Sequence, residues 1–75
     1  MVNTDLLNEV IDQSGLKRTA IARKMGLSDK GLKLKIDGVN EFKGSEIQKL
    51  RMILNLTDQE RERIFFSGKM NLNHL

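Results

Sequence analysis

The chain has 75 residues, a formal net charge of +3, and neither Cys nor Pro. That length makes one small domain near the lower size at which a chain folds without a staple, and the missing Cys excludes disulfides and thiolate metal sites. Its longest apolar runs fall far short of a membrane span, and the opening "MVNTDLLNEV" is acidic where a secretory signal is basic, so a soluble, intracellular protein is expected.

Frequent Leu, Lys, Arg, Ile and Glu with no Pro point to an all-α fold, and period and punctuation predict five helices. Thr4 is placed to cap the first, with Leu6, Leu7, Val10 and Ile11 inward and Gly15 closing it. A short second helix runs from about Lys17 to Met25, burying Ile21 and Met25 with Ala22 beside them. Gly26 supplies a positive-φ turn, and Ser28 caps a third helix that starts at Asp29 and ends near Asp37-Gly38. "GVNEFKGS" reads as a loop in which Phe42 plugs the core. The fourth helix, Gly44 to Leu54, buries Ile47, Leu50, Ile53 and Leu54. The fifth opens on a Thr57/Glu60 capping box, with Asp58 at the positive end of the dipole, and continues through Ile64, Phe65 and Phe66. Residues 1–68 are thus expected to form the domain, and 69–75 a frayed tail.

Charge is distributed unevenly along this plan. Residues 1–16 carry Asp5, Glu9 and Asp12 and no cation; residues 17–35 carry Lys17, Arg18, Arg23, Lys24, Lys30, Lys33 and Lys35 against Asp29 alone. A short, strongly basic segment is the electrostatic footprint of a nucleic-acid binder, although exposed helix faces often carry lysine without further purpose. That segment also contains a distinctive bend. A three-residue turn between two short helices makes them cross steeply, and small residues must sit at the crossing; Ala22 fits there, with Leu27 and Leu32 closing the angle. This is the helix-turn-helix arrangement, whose second helix enters the DNA major groove.

At about 100° per residue, Leu34 lies roughly opposite Leu32 and shares the outward face with Lys30, flanked by Lys33. In a groove, Leu34 would meet the thymine methyl, Lys30 the guanine O6 and N7, and Asp29 a cytosine amino group or its own helix N-terminus. Leu34 keeps two other readings, a contact with a protein partner or an isolated exposed apolar residue. Lys33 and Lys35 read as either groove-facing or simply solvated. Gly31 costs about 1 kcal/mol inside a helix relative to Ala, explained by close approach either of the second helix or of a DNA strand.

"LKRTAIARKMGLSDKGLKLKIDG" resembles the helix-turn-helix of the phage Cro/CI (XRE-type) repressor family, through Leu16, Ile21-Ala22, Met25-Gly26-Leu27-Ser28, Leu32 and Asp37-Gly38. The resemblance covers roughly residues 4–66. "NEFKGSEIQKLRMILNLTDQERERIFF" looks like the second half of short Cro-like proteins of phages of Gram-positive bacteria, and is similar to modulator-of-repression proteins that bind a CI repressor. The resemblance implies a compact five-helix, lambda-repressor-like DNA-binding fold, acting in the bacterial cytoplasm on the nucleoid as a repressor in a phage genetic switch. It places Asp29, Lys30 and Leu34 toward bases, and Arg18, Ser28, Lys33, Asn40 and Lys43 against the backbone. Two departures stand out. Arg18 replaces a usual glutamine, and Lys35 sits where an apolar residue is common, leaving Ile36 to pack there.

The expected partner is double-stranded operator DNA, read by a homodimer at half-sites about 34 Å apart or a multiple of that; helix five and Met70, Leu72 and Leu75 are candidate dimer residues. The competing expectation is a protein-binding modulator or antirepressor that complexes a CI-type repressor. No cofactor and no catalysis are expected. The single His74 lies in the tail, "GLKLKIDG" is no phosphate loop, and Asp58, Glu60 and Glu62 belong to one helix N-terminus rather than to a pocket.

Overall fold

The computed structural model describes residues 2–66, and these are all-helical. α1 spans Thr4–Ser14, α2 Arg18–Met25, α3 Asp29–Ile36, α4 Gly44–Leu54 and α5 Asp58–Phe65. None is long and apolar enough to cross a membrane. The expected domain end at residue 68, the tail 69–75 and its Met70, Leu72, His74 and Leu75 lie outside the described residues.

The helix ends follow the sequence punctuation, with one correction. α1 is capped by Asn3, whose Oδ1 accepts from the Leu6 amide at 3.1 Å, and not by Thr4. Both residues can cap. Thr4 is instead the first helical residue, and its hydroxyl donates to the Ile36 carbonyl at 2.6 Å, filling one of the carbonyls that the last turn of α3 leaves without a helical partner. The Asn3 amide donates to Ile64 O at 2.6 Å, so the start of α1 is tied to the ends of both α3 and α5. Lys17 proves to be the N-cap of α2 rather than its first residue. At α5 the Thr57/Glu60 box forms in both directions. At α4 only one half forms: Glu46 Oε1 accepts from the Lys43 amide at 2.8 Å, but a lysine at the cap has no acceptor to return.

Every helix sends residues to one core. α1 contributes Leu7 and Ile11, α2 Ile21 and Ala22, α3 Leu32 and Ile36, α4 Leu50 and Leu54, and α5 Ile64 and Phe65. Leu56, between α4 and α5, joins them, a position the helical periodicity does not reach. Burying a Leu or Ile side chain fully contributes about 1.5–3 kcal/mol, so these residues dominate what holds the helices together. Ile47 and Ile53 are only half-buried, packed on the core from outside. Phe42 does cover the core beneath the loop, edge-on to Phe65 with centroids 5.4 Å apart. Among the described residues no polar or charged residue is buried outright.

Candidate nucleic-acid interface

The α2–α3 bend is built from two requirements, a close crossing and a sharp reversal. Ala22 is completely buried where the helices meet. Gly26 adopts φ +73°, a left-handed conformation that costs an L-residue about 1–2 kcal/mol. The Leu27 amide then donates to Ala22 O at 2.9 Å, the six-to-one bond that closes a helix with a left-handed residue. Ser28 caps α3, its Oγ accepting from the Gly31 amide at 2.9 Å, which leaves the hydroxyl hydrogen available to another acceptor. A Cβ on Gly31 would meet that same Oγ at 3.0 Å, and no atom of α2 lies within 4 Å of it. Of the two explanations for Gly31, close approach of α2 is therefore excluded; the cap hydroxyl occupies the space.

The same closing motif recurs twice. Val39 donates to Leu34 O at 2.9 Å past Gly38 (φ +83°), and Leu56 donates to Arg51 O at 2.9 Å past Asn55 (φ +54°). In all three the residue after the left-handed position is apolar, and Leu27 and Leu56 turn it into the core. Val39 does not: it is 69% exposed. It follows Leu34 around the end of α3, and Leu34 is half-buried without packing on the core. Sequence reading missed Val39, although the apolar residue after Asp37-Gly38 carries the signal.

The three lysines of α3 have distinct surroundings in space. Lys30 is exposed and has no partner among the described residues. Lys33 is exposed but paired with Asp37 at 2.8 Å, one turn away. Lys35 is not part of an open positive face, contrary to the sequence expectation. Its side chain is 12% exposed, and the amine donates to Glu46 Oε1 at 2.5 Å and to Glu41 O at 3.3 Å. The physical reason is reach. A long, flexible side chain can leave the open face of its own helix and bring its ammonium to a carboxylate of another element. Burial pushes the Glu46 carboxyl up, but the hydrogen bonds from Lys35 and the Lys43 amide, with both lysine charges, outweigh it and hold the group below its ordinary range.

Arg18 points back to α1, with Nη2 donating to Asn8 Oδ1 at 2.8 Å and Nη1 3.2 Å from Asp12 Oδ1. Its neighbours Asn8 and Asp12 were not singled out by the sequence, since nothing in spacing joins α1 to the start of α2. Between α1, α2 and α3 lies an open groove of about 420 Å³ floored by Leu32 and Ile36, with Arg18, Asp29, Lys33 and Asp37 on its rim. Asp29 is exposed at the α3 N-terminus. Asn40 and Lys43 are exposed on the loop between α3 and α4, where the Asn40 amide donates to Leu34 O at 3.2 Å.

No protein-family model, curated protein or solved structure matches this chain. The arrangement therefore stands on its own geometry. Asp29, Ser28 and Lys30 gather at the start of α3, with Leu34 and Lys33 further along the same short helix. Asn40 and Lys43 follow on the loop that leaves it. Arg18 reaches this region only across the groove, already held by an acidic neighbour.

Proposed function

We propose that this protein is a sequence-specific DNA-binding transcription regulator of helix-turn-helix type, a Cro-like repressor, with α3 in the major groove. The observation that carries the reading is the division of labour on α3. Leu32 and Ile36 are buried, while Lys30 on the opposite side is exposed and unpaired, beside a half-buried Leu34 that the core does not use. An uncommitted ammonium and an aliphatic tip suit guanine acceptors and the thymine methyl. Asp29 suits a cytosine amino group, and Ser28, Lys33, Asn40, Lys43 and Arg18 suit phosphates. A domain of this size reads few base pairs, so a homodimer on paired half-sites is part of the proposal. Selection of bound duplexes from a random-sequence library, followed by footprinting of the DNA flanking its own gene, tests it. Enrichment of one motif and binding that weakens steeply with salt are expected; absence of any enriched sequence refutes it.

One observation favours a second reading. Val39, 69% exposed next to Leu34, adds apolar surface at the end of α3 that phosphates do not need. A protein surface, such as that of a CI-type repressor, would cover it, making this chain a modulator or antirepressor. Titrating DNA and purified repressor separately decides between the two, because the modulator binds only when the repressor is present.

A further inference from the structure

One oxygen atom joins three parts of the molecule. Glu46 Oε1, in the first turn of α4, accepts from Lys35 Nζ of α3 at 2.5 Å and from the backbone amide of Lys43 at 2.8 Å. The Lys35 amine reaches the Glu41 carbonyl in the same loop at 3.3 Å. Both side chains of the pair are only 12% exposed. The loop between α3 and α4 has few other anchors. Its early amides return to α3 through Val39 and Asn40, and Phe42 packs on Phe65. Its far end is fixed at this carboxylate.

We propose that Glu46 is a positioning residue for DNA recognition, locking the base-facing helix α3 and the backbone-facing loop 39–43 into one fixed relation through Lys35 and the Lys43 amide. The inference rests on the DNA-binding reading. Bases are read by α3, and phosphate contacts from the loop set the register in which it reads them. Two contact sets joined by a rigid link select one register, whereas the same sets joined by a slack loop bind DNA but discriminate less. Such a pair need not add net stability over apolar packing, since replacing both partners of a little-exposed pair by apolar side chains is often neutral or stabilising. The charged pair instead supplies direction, because its hydrogen bonds fix an angle that apolar packing leaves open.

The test separates holding the fold from setting the register. The double variant Lys35→Met with Glu46→Met, in the full chain, is expected to keep the wild-type melting temperature or exceed it. The ratio of its affinities for the best duplex from the random library and for random DNA is expected to fall by about three- to tenfold, the coupling typical of directly interacting residues. Lys35→Arg, which preserves the ion pair, keeps the ratio. An unchanged ratio in the double variant overturns the proposal. Should that variant fail to fold, Glu46→Ala, which removes the acceptor of both hydrogen bonds and leaves Lys35 free to turn into solvent, carries the same comparison. Amide hydrogen exchange gives a readout without DNA. Lys35→Met reaches the Lys43 amide through the shared oxygen, so faster exchange there is expected, and unchanged exchange overturns the link. If the wild type enriches no duplex, the DNA reading fails and takes the role in recognition with it, while faster exchange at Lys43 would still establish the mechanical link.

Discussion

Lys30, Lys33 and Lys35 offer a graded test, because the structure assigns them different availabilities on one helix. Each phosphate neutralised contributes about 0.9 to the slope of log affinity against log salt, so a fourfold rise in salt costs roughly 3.5-fold in affinity per contact. Lys30 has nothing to give up before meeting DNA, and on a random duplex, which does not present the guanine it is proposed to read, its ammonium is open to a phosphate, so Lys30→Ala is expected to reduce the slope there by about one. Lys33 must leave Asp37, but an exposed pair one helical turn apart is worth only about 0.3–0.5 kcal/mol. Its loss therefore matters less than that of Lys30, and Asp37→Asn, which frees it, should tighten non-specific binding about twofold. Lys35 would abandon a charge-assisted hydrogen bond at a carboxylate only 12% exposed, a loss of ~2 kcal/mol that one phosphate contact does not return. Lys35→Met should leave the slope unchanged. Fluorescence anisotropy on a labelled random duplex between 50 and 200 mM salt, the range over which such slopes are commonly compared, measures all four. A slope that falls equally for Lys35→Met and Lys30→Ala would refute the reasoning, since it would mean that the Lys35 amine leaves Glu46 for DNA.

Three other outcomes follow from the same geometry. Gly26→Ala should lower stability by about 1–2 kcal/mol, or roughly 4–16 °C in melting temperature, through the left-handed backbone alone, because a Cβ there meets nothing within 4 Å; Gly26→Val should cost more, and an unchanged thermal melt of either would contradict the turn. Glu46 has a folded pKa below its ordinary 4.5, so the stability it contributes is complete above the unfolded value and is lost as pH falls through the lower folded one. Urea melts between neutral and acid pH should accordingly show a steeper acid loss for the wild type than for Glu46→Gln, and identical pH profiles would remove the ion pair from the account. Leu34→Ala should weaken the selected duplex by ~1–3 kcal/mol and relax one position of its motif, whereas Val39→Ser should leave DNA binding intact; the reverse pattern, with repressor binding lost in Val39→Ser, would move both residues to a protein interface.

The five helices were legible in the sequence because their signals are local. Gly15, Gly26, Ser28, Thr57 and Glu60 act within one or two turns of themselves, and the buried faces of α1 to α4 follow from helical period. Local signals also misled where two neighbours could serve the same end. Asn3 and Thr4 both can cap, and only the position of the Ile36 carbonyl, 32 residues away, shows why Thr4 is used elsewhere. The fate of Lys35 was equally beyond the sequence, whereas the Lys33–Asp37 pair lies within one helical turn. Period places Lys30, Lys33 and Lys35 around one helix, but whether an amine is uncommitted depends on which carboxylate the chain brings within about 3 Å, and Glu46 arrives from eleven residues on by way of a loop. The candidate interface therefore has two origins. Residue types and helix register come from the order of amino acids, through backbone propensity and apolar spacing. Which charges remain available to a partner is settled by tertiary contact, because charge-assisted hydrogen bonds act only over a few ångströms and bind whatever the fold delivers there.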